Sequence, residues 1–157
     1  MKKILVSSCL YGGRPVRYDG KSKEERDPRF LAWKAEGRLI PVCPEVMGGL
    51  CVPRPDAQRQ KDRVVTRTGR DVTEEYMRGA KIALEAAVKE GAAFAILKEK
   101  SPSCGSRIIY DGTFSGETIP GQGITAELLR KRGIKVFSEE ELDEAEEFLK
   151  KAEEENP

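Results

Sequence analysis

The chain has 157 residues, with 28 Lys plus Arg against 27 Asp plus Glu, four Cys and no His. That length suits one domain with a real core and is too short for two ordinary ones; the balanced charge argues against extended nucleic acid as a partner but leaves a base or nucleotide in a pocket open. The lack of histidine removes the usual general base, the Cys–His nucleophile pair and mixed Cys/His zinc sites, so any chemistry rests on Cys, Asp, Glu, Ser, Lys, Arg or Tyr.

Residues 3–8 read as a first strand ending at Cys9. The opening Met1-Lys2-Lys3-Ile4-Leu5-Val6 is basic, but its apolar run is short and soon broken by Ser7, Ser8 and Gly12-Gly13. It reads as a strand and not a signal peptide, no stretch approaches a membrane span, and the expected location is the cytoplasm. In that reducing setting four widely spaced cysteines suggest metal ligands or catalytic thiols before disulfides. Residues 10–20 form a Gly- and Pro-punctuated loop with two tyrosines and two arginines. Asp27 caps a helix that begins at Pro28 and stops at Gly37. Leu39-Ile40-Pro41-Val42 is a second strand running into Cys43-Pro44-Glu45-Val46-Met47-Gly48-Gly49-Leu50-Cys51.

Residues 52–70 are polar, and 63–69 read either as half of a small hairpin or as a flap over a site. Thr73 opens the strongest helix, with Tyr76, Met77, Ala80, Ala83, Leu84, Ala87 and Val88 at helical spacing and Gly91 at its end. Residues 93–97 have the apolar character of a strand buried on both faces. This strand leads directly into Lys98-Glu99-Lys100-Ser101-Pro102-Ser103-Cys104-Gly105-Ser106, a loop that Pro102 and Gly105 should make tight. Ile108-Ile109-Tyr110 is a further short strand before a turn at 111–116. A helix at 126–132 closes at Gly133, and 134–137 is the last strand. Ser138 and Glu141 form a capping box for a final helix to about Ala152, which ends in a frayed acidic tail, the whole segment spanning 138–157.

Alternating strands and helices predict an α/β fold: a single Rossmann-like domain over 1–157, with a mostly parallel sheet flanked by helices. In such sheets ligands bind outside the carboxyl ends of the strands. Cys9, Cys43 and Cys104 each lie just past a predicted strand, so three loops would bring three thiols to one edge. They are three unrelated core cysteines, or three ligands of a zinc ion, or three ligands of a 4Fe-4S cluster with one iron left open to substrate. Cys51 is then a spare thiol. Glu45 and Ser101 flank these cysteines, and with histidine absent Glu45 is the natural proton-transfer group. Gly48 and Gly49 allow close backbone approach to a ligand or simply make a turn. Arg17 and Arg54 hold an anionic group or pair with surface acids.

Several blocks together resemble the TudS-type thiouracil desulfidases, a small bacterial and archaeal domain family. These are Val6-Ser7-Ser8-Cys9-Leu10, Arg17-Tyr18-Asp19-Gly20, Cys43-Pro44-Glu45-Val46-Met47-Gly48-Gly49-Leu50, Asp71-Val72-Thr73, Ser101-Pro102-Ser103-Cys104-Gly105 and Ile109-Tyr110-Asp111-Gly112-Thr113-Phe114, within about residues 3–142. The resemblance implies a 4Fe-4S cluster on Cys9, Cys43 and Cys104 whose open iron takes the sulfur of a small thiocarbonyl substrate, a thiolated base or nucleoside. It implies a non-redox exchange of that sulfur for oxygen with release of hydrosulfide. Glu45 and Ser101 match the family's proton-handling residues, and Gly48, Gly49, Ser103, Arg17 and Arg54 are the expected substrate contacts. The chain departs from many relatives in having Val16 where a cysteine is common, and in carrying Cys51. Two other readings stand beside this one: a non-enzymatic cluster- or sulfide-binding module for sulfur storage or delivery, and a zinc hydrolase with a three-cysteine metal site.

Overall fold

The computed structural model describes residues 1–13, 16–21 and 23–155. Arg14 and Pro15 of the expected 10–20 loop, Ser22, and Asn156 and Pro157 of the expected tail lie outside the described residues. The first apolar run forms β1 (Lys3–Ser7) and turns at once into a single helical turn, α1 (Ser8–Tyr11). Cys9 therefore sits on a helix and not at a strand end. Gly12, at φ +86°, closes that turn by donating its N–H to the Ser8 carbonyl. Next comes α2 (Pro28–Ala35), where the Asp27 side chain accepts the Arg29 N–H as expected of a cap. Strand β2 (Leu39–Val42) leads into a second single turn, α3 (Pro44–Met47), with Cys43 at its N-cap.

Of the two readings for 63–69, the structure adopts the hairpin, β3 (Ala57–Gln60) against β4 (Arg63–Thr66). The long helix α4 (Thr73–Glu90) ends at Gly91 in the left-handed region, followed by β5 (Ala92–Leu97). A second hairpin pairs β6 (Ile108–Tyr110) with β7 (Thr118–Pro120). The sequence did not suggest β7, because Pro120 removes a ladder donor; it is tolerated on this two-stranded edge. Helix α5 (Ile124–Lys131) starts two residues earlier than its pattern indicates, and β8 (Val136–Ser138) two residues later. The final helix, α6 (Leu142–Glu155), continues past Ala152 and is not a frayed tail. Arg38 pairs with Glu153, and Lys151 with Glu147 one turn away, which holds the acidic end helical.

Strands β1, β2, β5 and β8 form one parallel sheet in the order β2-β1-β5-β8. Alternate side chains leave opposite faces. Ile4, Val6, Phe94 and Ile96 pack with Phe30 and Trp33 of α2 and with Leu142, Ala145 and Leu149 of α6. Leu5, Ala95 and Leu97 pack with Ala83, Leu84 and Ala87 of α4 and with Ala126 and Leu129 of α5. Phe94, Phe137 and Phe148 meet edge-to-face with centroids 5.4–5.8 Å apart. The result is the expected helix–sheet–helix sandwich. No helix among the described residues is long and apolar enough to cross a membrane.

Strand β1 is followed in the chain by its neighbour on one side, and β5 joins it on the other. This reversal of strand order opens a crevice beyond the carboxyl ends of β1 and β5. The two hairpins stand outside the main sheet, joined where the Gln58 carboxamide accepts the N–H groups of Gly112 and Phe114.

Helices α3 and α4 touch backbone to backbone. A Cβ on Gly79 would lie 1.8 Å from the Pro44 carbonyl oxygen, and one on Gly48 would lie 2.0 Å from that of Glu75. Alanine inside an exposed helix is ordinarily favoured over glycine by about 1 kcal/mol. Here the clash reverses that sign: Gly79→Ala is expected to lower the unfolding free energy by about 1–3 kcal/mol in chemical denaturation, and unchanged or increased stability would show that the contact is slack.

Candidate active site

Cys9 follows β1 by two positions, Cys43 immediately follows β2, and Cys104 lies in the loop after β5. All three line one cavity of about 340 Å³. Cys9 and Cys104 are buried, Cys43 is half-buried, and none is in a disulfide. Burial pushes the Cys9 thiol up to about 12, with Cys43 adding to the rise while Lys98 and Arg17 oppose it. Cys104 is raised by burial and by the other two thiols, partly offset by the Ser7 hydroxyl. Burial also raises Cys43, against the backbone N–H of Val46.

These are poor nucleophiles at neutral pH, since the thiolate is the attacking form. They are suitable ligands for a cationic centre that takes the place of their protons. The three thiols come from three separate segments, the α1 turn, the N-cap of α3 and the loop after β5, around one shared cavity.

Beside the thiols stands Glu45, in the first turn of α3. Arg54 Nη2 donates to its Oε2 at 2.8 Å and Nε at 3.3 Å, and the Ser101 hydroxyl points at Oε1 from 3.4 Å. The same Ser101 oxygen accepts the backbone N–H groups of Ser103 and Cys104, each at 3.0 Å. With its acceptor capacity so used, the hydroxyl proton is left for Glu45. Arg54 also donates to the carbonyls of Val16 and Cys51, tying three loops to one carboxylate.

The loop carrying Ser101 and Cys104 is closed by one side chain. The Glu99 carboxylate accepts the N–H groups of Ser106 and Arg107 and the Arg107 guanidinium, at 2.9–3.0 Å. Burial alone would raise its pKa, but the Arg107 backbone and guanidinium, with the Ile108 and Ser106 N–H groups, outweigh that and hold it at about 2. The far side of the loop packs on α5, whose first N–H groups donate to the carbonyls of Pro102 and Ser103. Gly123 makes this approach possible, for a Cβ there would meet the Ser103 carbonyl at 2.4 Å.

The structure thus brings together Cys9, Cys43, Cys104, Glu45, Ser101, Arg17 and Arg54 around one cavity. Gly48, Gly49 and Ser103 stand apart from its lining: Gly48 packs on α4, and Ser103 is fully buried with its hydroxyl bonded to Thr125. Cys51 is exposed and also outside the cavity. Sequence reasoning missed Tyr76, which lines the cavity, because helical spacing marks it only as core. A signal was present, since a buried tyrosine needs a partner for its hydroxyl. It also missed Glu99 as the loop's closing group and Gln58 as the clasp of the outer wall; isolated polar residues next to a motif carry no such information.

Comparison with known proteins agrees along nearly the whole chain. The model of a family described as 2-thiouracil desulfurase matches residues 4–141. The chain is 44% identical over 151 residues to the "Uncharacterized protein YbbK" of Bacillus subtilis (strain 168), covering 90% of this chain and 98% of that one. Among solved structures, a 4Fe-4S-dependent thiouracil desulfidase, TudS, is similar with a TM-score of 0.89 at 53% identity, over 92% of this chain and 95% of that one.

Two expectations follow from these environments. In metal-free protein at pH 7.5, iodoacetamide should modify Cys51 first and Cys9 and Cys104 at least about tenfold more slowly, as read by peptide mass spectrometry; equal rates would refute the burial described. Glu99, whose pKa is lowered from 4.5 to about 2 on folding, stabilises the fold above the higher value and loses that effect as pH falls through the lower. Glu99→Gln should therefore be less stable than the parent in urea at pH 7, with the gap narrowing as pH drops below about 4.5; a pH-independent gap would contradict this.

Proposed function

The chain belongs to the 2-thiouracil desulfurase family, and from that membership we propose that it is an enzyme replacing the sulfur of a thiolated pyrimidine, a thiouracil or thionucleoside, with oxygen. The reaction is a hydrolysis without net redox change: the C=S group and water give C=O, hydrosulfide and a proton. The observation that carries the proposal is the meeting of the Cys9, Cys43 and Cys104 thiols with the Glu45–Arg54 pair in one cavity. In the TudS desulfidase, which is described as 4Fe-4S-dependent, the same kind of cofactor is at work. By that likeness Cys9, Cys43 and Cys104 would hold a 4Fe-4S cluster here. When bound, such a cluster with three protein ligands supplies an open iron, a Lewis acid for a thiocarbonyl sulfur.

The other roles fall to the protein. Glu45 receives a proton from the attacking water, and Arg54 keeps its carboxylate turned toward the cavity. Ser101 fixes the second carboxylate oxygen and is itself held by two backbone N–H groups. Lys98, which lines the cavity and pairs with Glu139 at 2.7 Å, and Arg17 favour the anionic product near Cys9. A cavity of about 340 Å³ suits a small molecule such as a thiolated base.

Glu45→Gln separates the enzyme from a storage module. The variant should keep its iron and visible spectrum while turnover of 2-thiouracil falls by about 10²–10⁴-fold. Full activity in an iron-loaded variant would remove Glu45 from the mechanism, and absence of turnover in the iron-loaded parent would favour storage or delivery of sulfur.

A further inference from the structure

We infer that Gln58 is a specificity residue of this site. Its carboxamide NH2 donates to a ring carbonyl of the substrate and so selects a thiolated pyrimidine of the uracil type over an amino-bearing one of the cytosine type. The inference rests on the desulfidase reading of the cavity.

Gln58 is the one buried residue of β3. An apolar side chain would fill such a position without burying a polar group, as Val64 does on β4. The residue is 6% exposed and lines the cavity. Its oxygen accepts two backbone N–H groups, from Gly112 at 3.0 Å and Phe114 at 3.1 Å, which occupy both lone pairs. Its nitrogen, with two hydrogens to donate, has no hydrogen-bond partner among the described residues. Nor is it sealed in: among those residues no fully buried side-chain nitrogen or oxygen is left unpaired. The space that Gln58 borders is the cavity, and the free NH2 opens onto it.

The carboxamide cannot reverse. Turned over, it would set its NH2 against the Gly112 and Phe114 N–H groups, donor against donor. What meets the cavity is therefore a donor that cannot become an acceptor. Its neighbours do not discriminate in that way. Arg67 is engaged by the Asp56 carboxylate at 2.9–3.0 Å and lies over the Phe114 ring, while the Tyr110 hydroxyl can turn to donate or accept.

The placement suits a substrate bound through its sulfur. The cavity has walls of two origins: the segments at the carboxyl edge of the main sheet bring the three thiols, and the hairpins bring Gln58 and Tyr110. A 2-thiouracil with its sulfur directed to the thiols has one carbonyl oxygen left, an acceptor, for the hairpin wall. In 2-thiocytosine the same ring position carries NH2, a second donor opposed to that of Gln58. A site built to satisfy a polar group rejects a ligand that cannot do so, because the buried group is left unpaired.

The test is Gln58→Glu in cluster-loaded protein, with 2-thiouracil and 2-thiocytosine as substrates. The carboxylate keeps an acceptor for Gly112 and Phe114 and replaces the donor on the cavity with a second acceptor. The parent should favour 2-thiouracil in kcat/KM by at least about tenfold, and the variant should lower that ratio by at least about tenfold. Each ratio is taken within one preparation, so differences in cluster loading cancel. A residue that only clasps the hairpins would move both substrates alike. A smaller parent preference, or a smaller shift in the variant, overturns the inference. If the parent turns over neither substrate, the desulfidase reading itself falls and the inference with it. Should the variant not fold, the parent decides through the sulfur-free bases. Uracil should then inhibit 2-thiouracil turnover at a concentration at least about tenfold below that needed of cytosine, and a smaller margin overturns the inference.

Discussion

Three thiols around one cavity, two buried and one half-buried, are all disfavoured as thiolates by burial. Burial raises the pKa of each of Cys9, Cys43 and Cys104, and neighbouring thiols raise Cys9 and Cys104 further. A cysteine nucleophile needs the opposite, an exposed thiol near positive charge. What reconciles three thiolates in one cavity is a cationic centre, and the surroundings are arranged in its favour. Lys98 and Arg17 face Cys9, the Val46 N–H faces Cys43, and the Ser7 hydroxyl faces Cys104. The proposed cluster and the desulfidase reading both grow from this one electrostatic constraint.

The rest of the structure serves to hold the three cysteine-bearing segments still. The reversal of strand order between β1 and β5 provides the crevice, and Ser7 at its base accepts the N–H of Lys98, joining the two strand ends. Glu99 closes the Cys104 loop into a ring, while the first N–H groups of α5 donate to its carbonyls. On the other side, Gly48 and Gly79 let α3 rest directly on α4. Arg54 then links Glu45 to the loops around Val16 and Cys51. Side chains that act together must be placed to within a fraction of an ångström, and here backbone contacts do most of that placing.

Much of this was legible in the sequence. The apolar run at Phe94-Ala95-Ile96-Leu97 marks a strand buried on both faces and Ile4-Leu5-Val6 a first strand, and the cysteines after them mark the edge where a site would form. Caps at Asp27 and Gly91 set helix ends, because capping is a local interaction. The failures share a cause. Four-residue turns such as α1 and α3 are too short to show a period, so neither the helical setting of Cys9 nor the turn that follows Cys43 is legible. Gly48 looked like a ligand-facing glycine, whereas its real neighbour, Glu75, lies far along the chain and leaves no local trace. Tyr76 and Glu99 likewise depend on what the fold brings to their polar ends.

The most direct test of the central claim is the iron and acid-labile sulfide content of protein reconstituted without oxygen, measured for the parent and for Cys51→Ser. The account predicts about four irons and four sulfides per chain in both, with broad absorbance near about 400 nm, as a thiolate-held 4Fe-4S cluster requires. No iron in the parent, or zinc in its place, would contradict it and return the three cysteines to a packing or single-ion role.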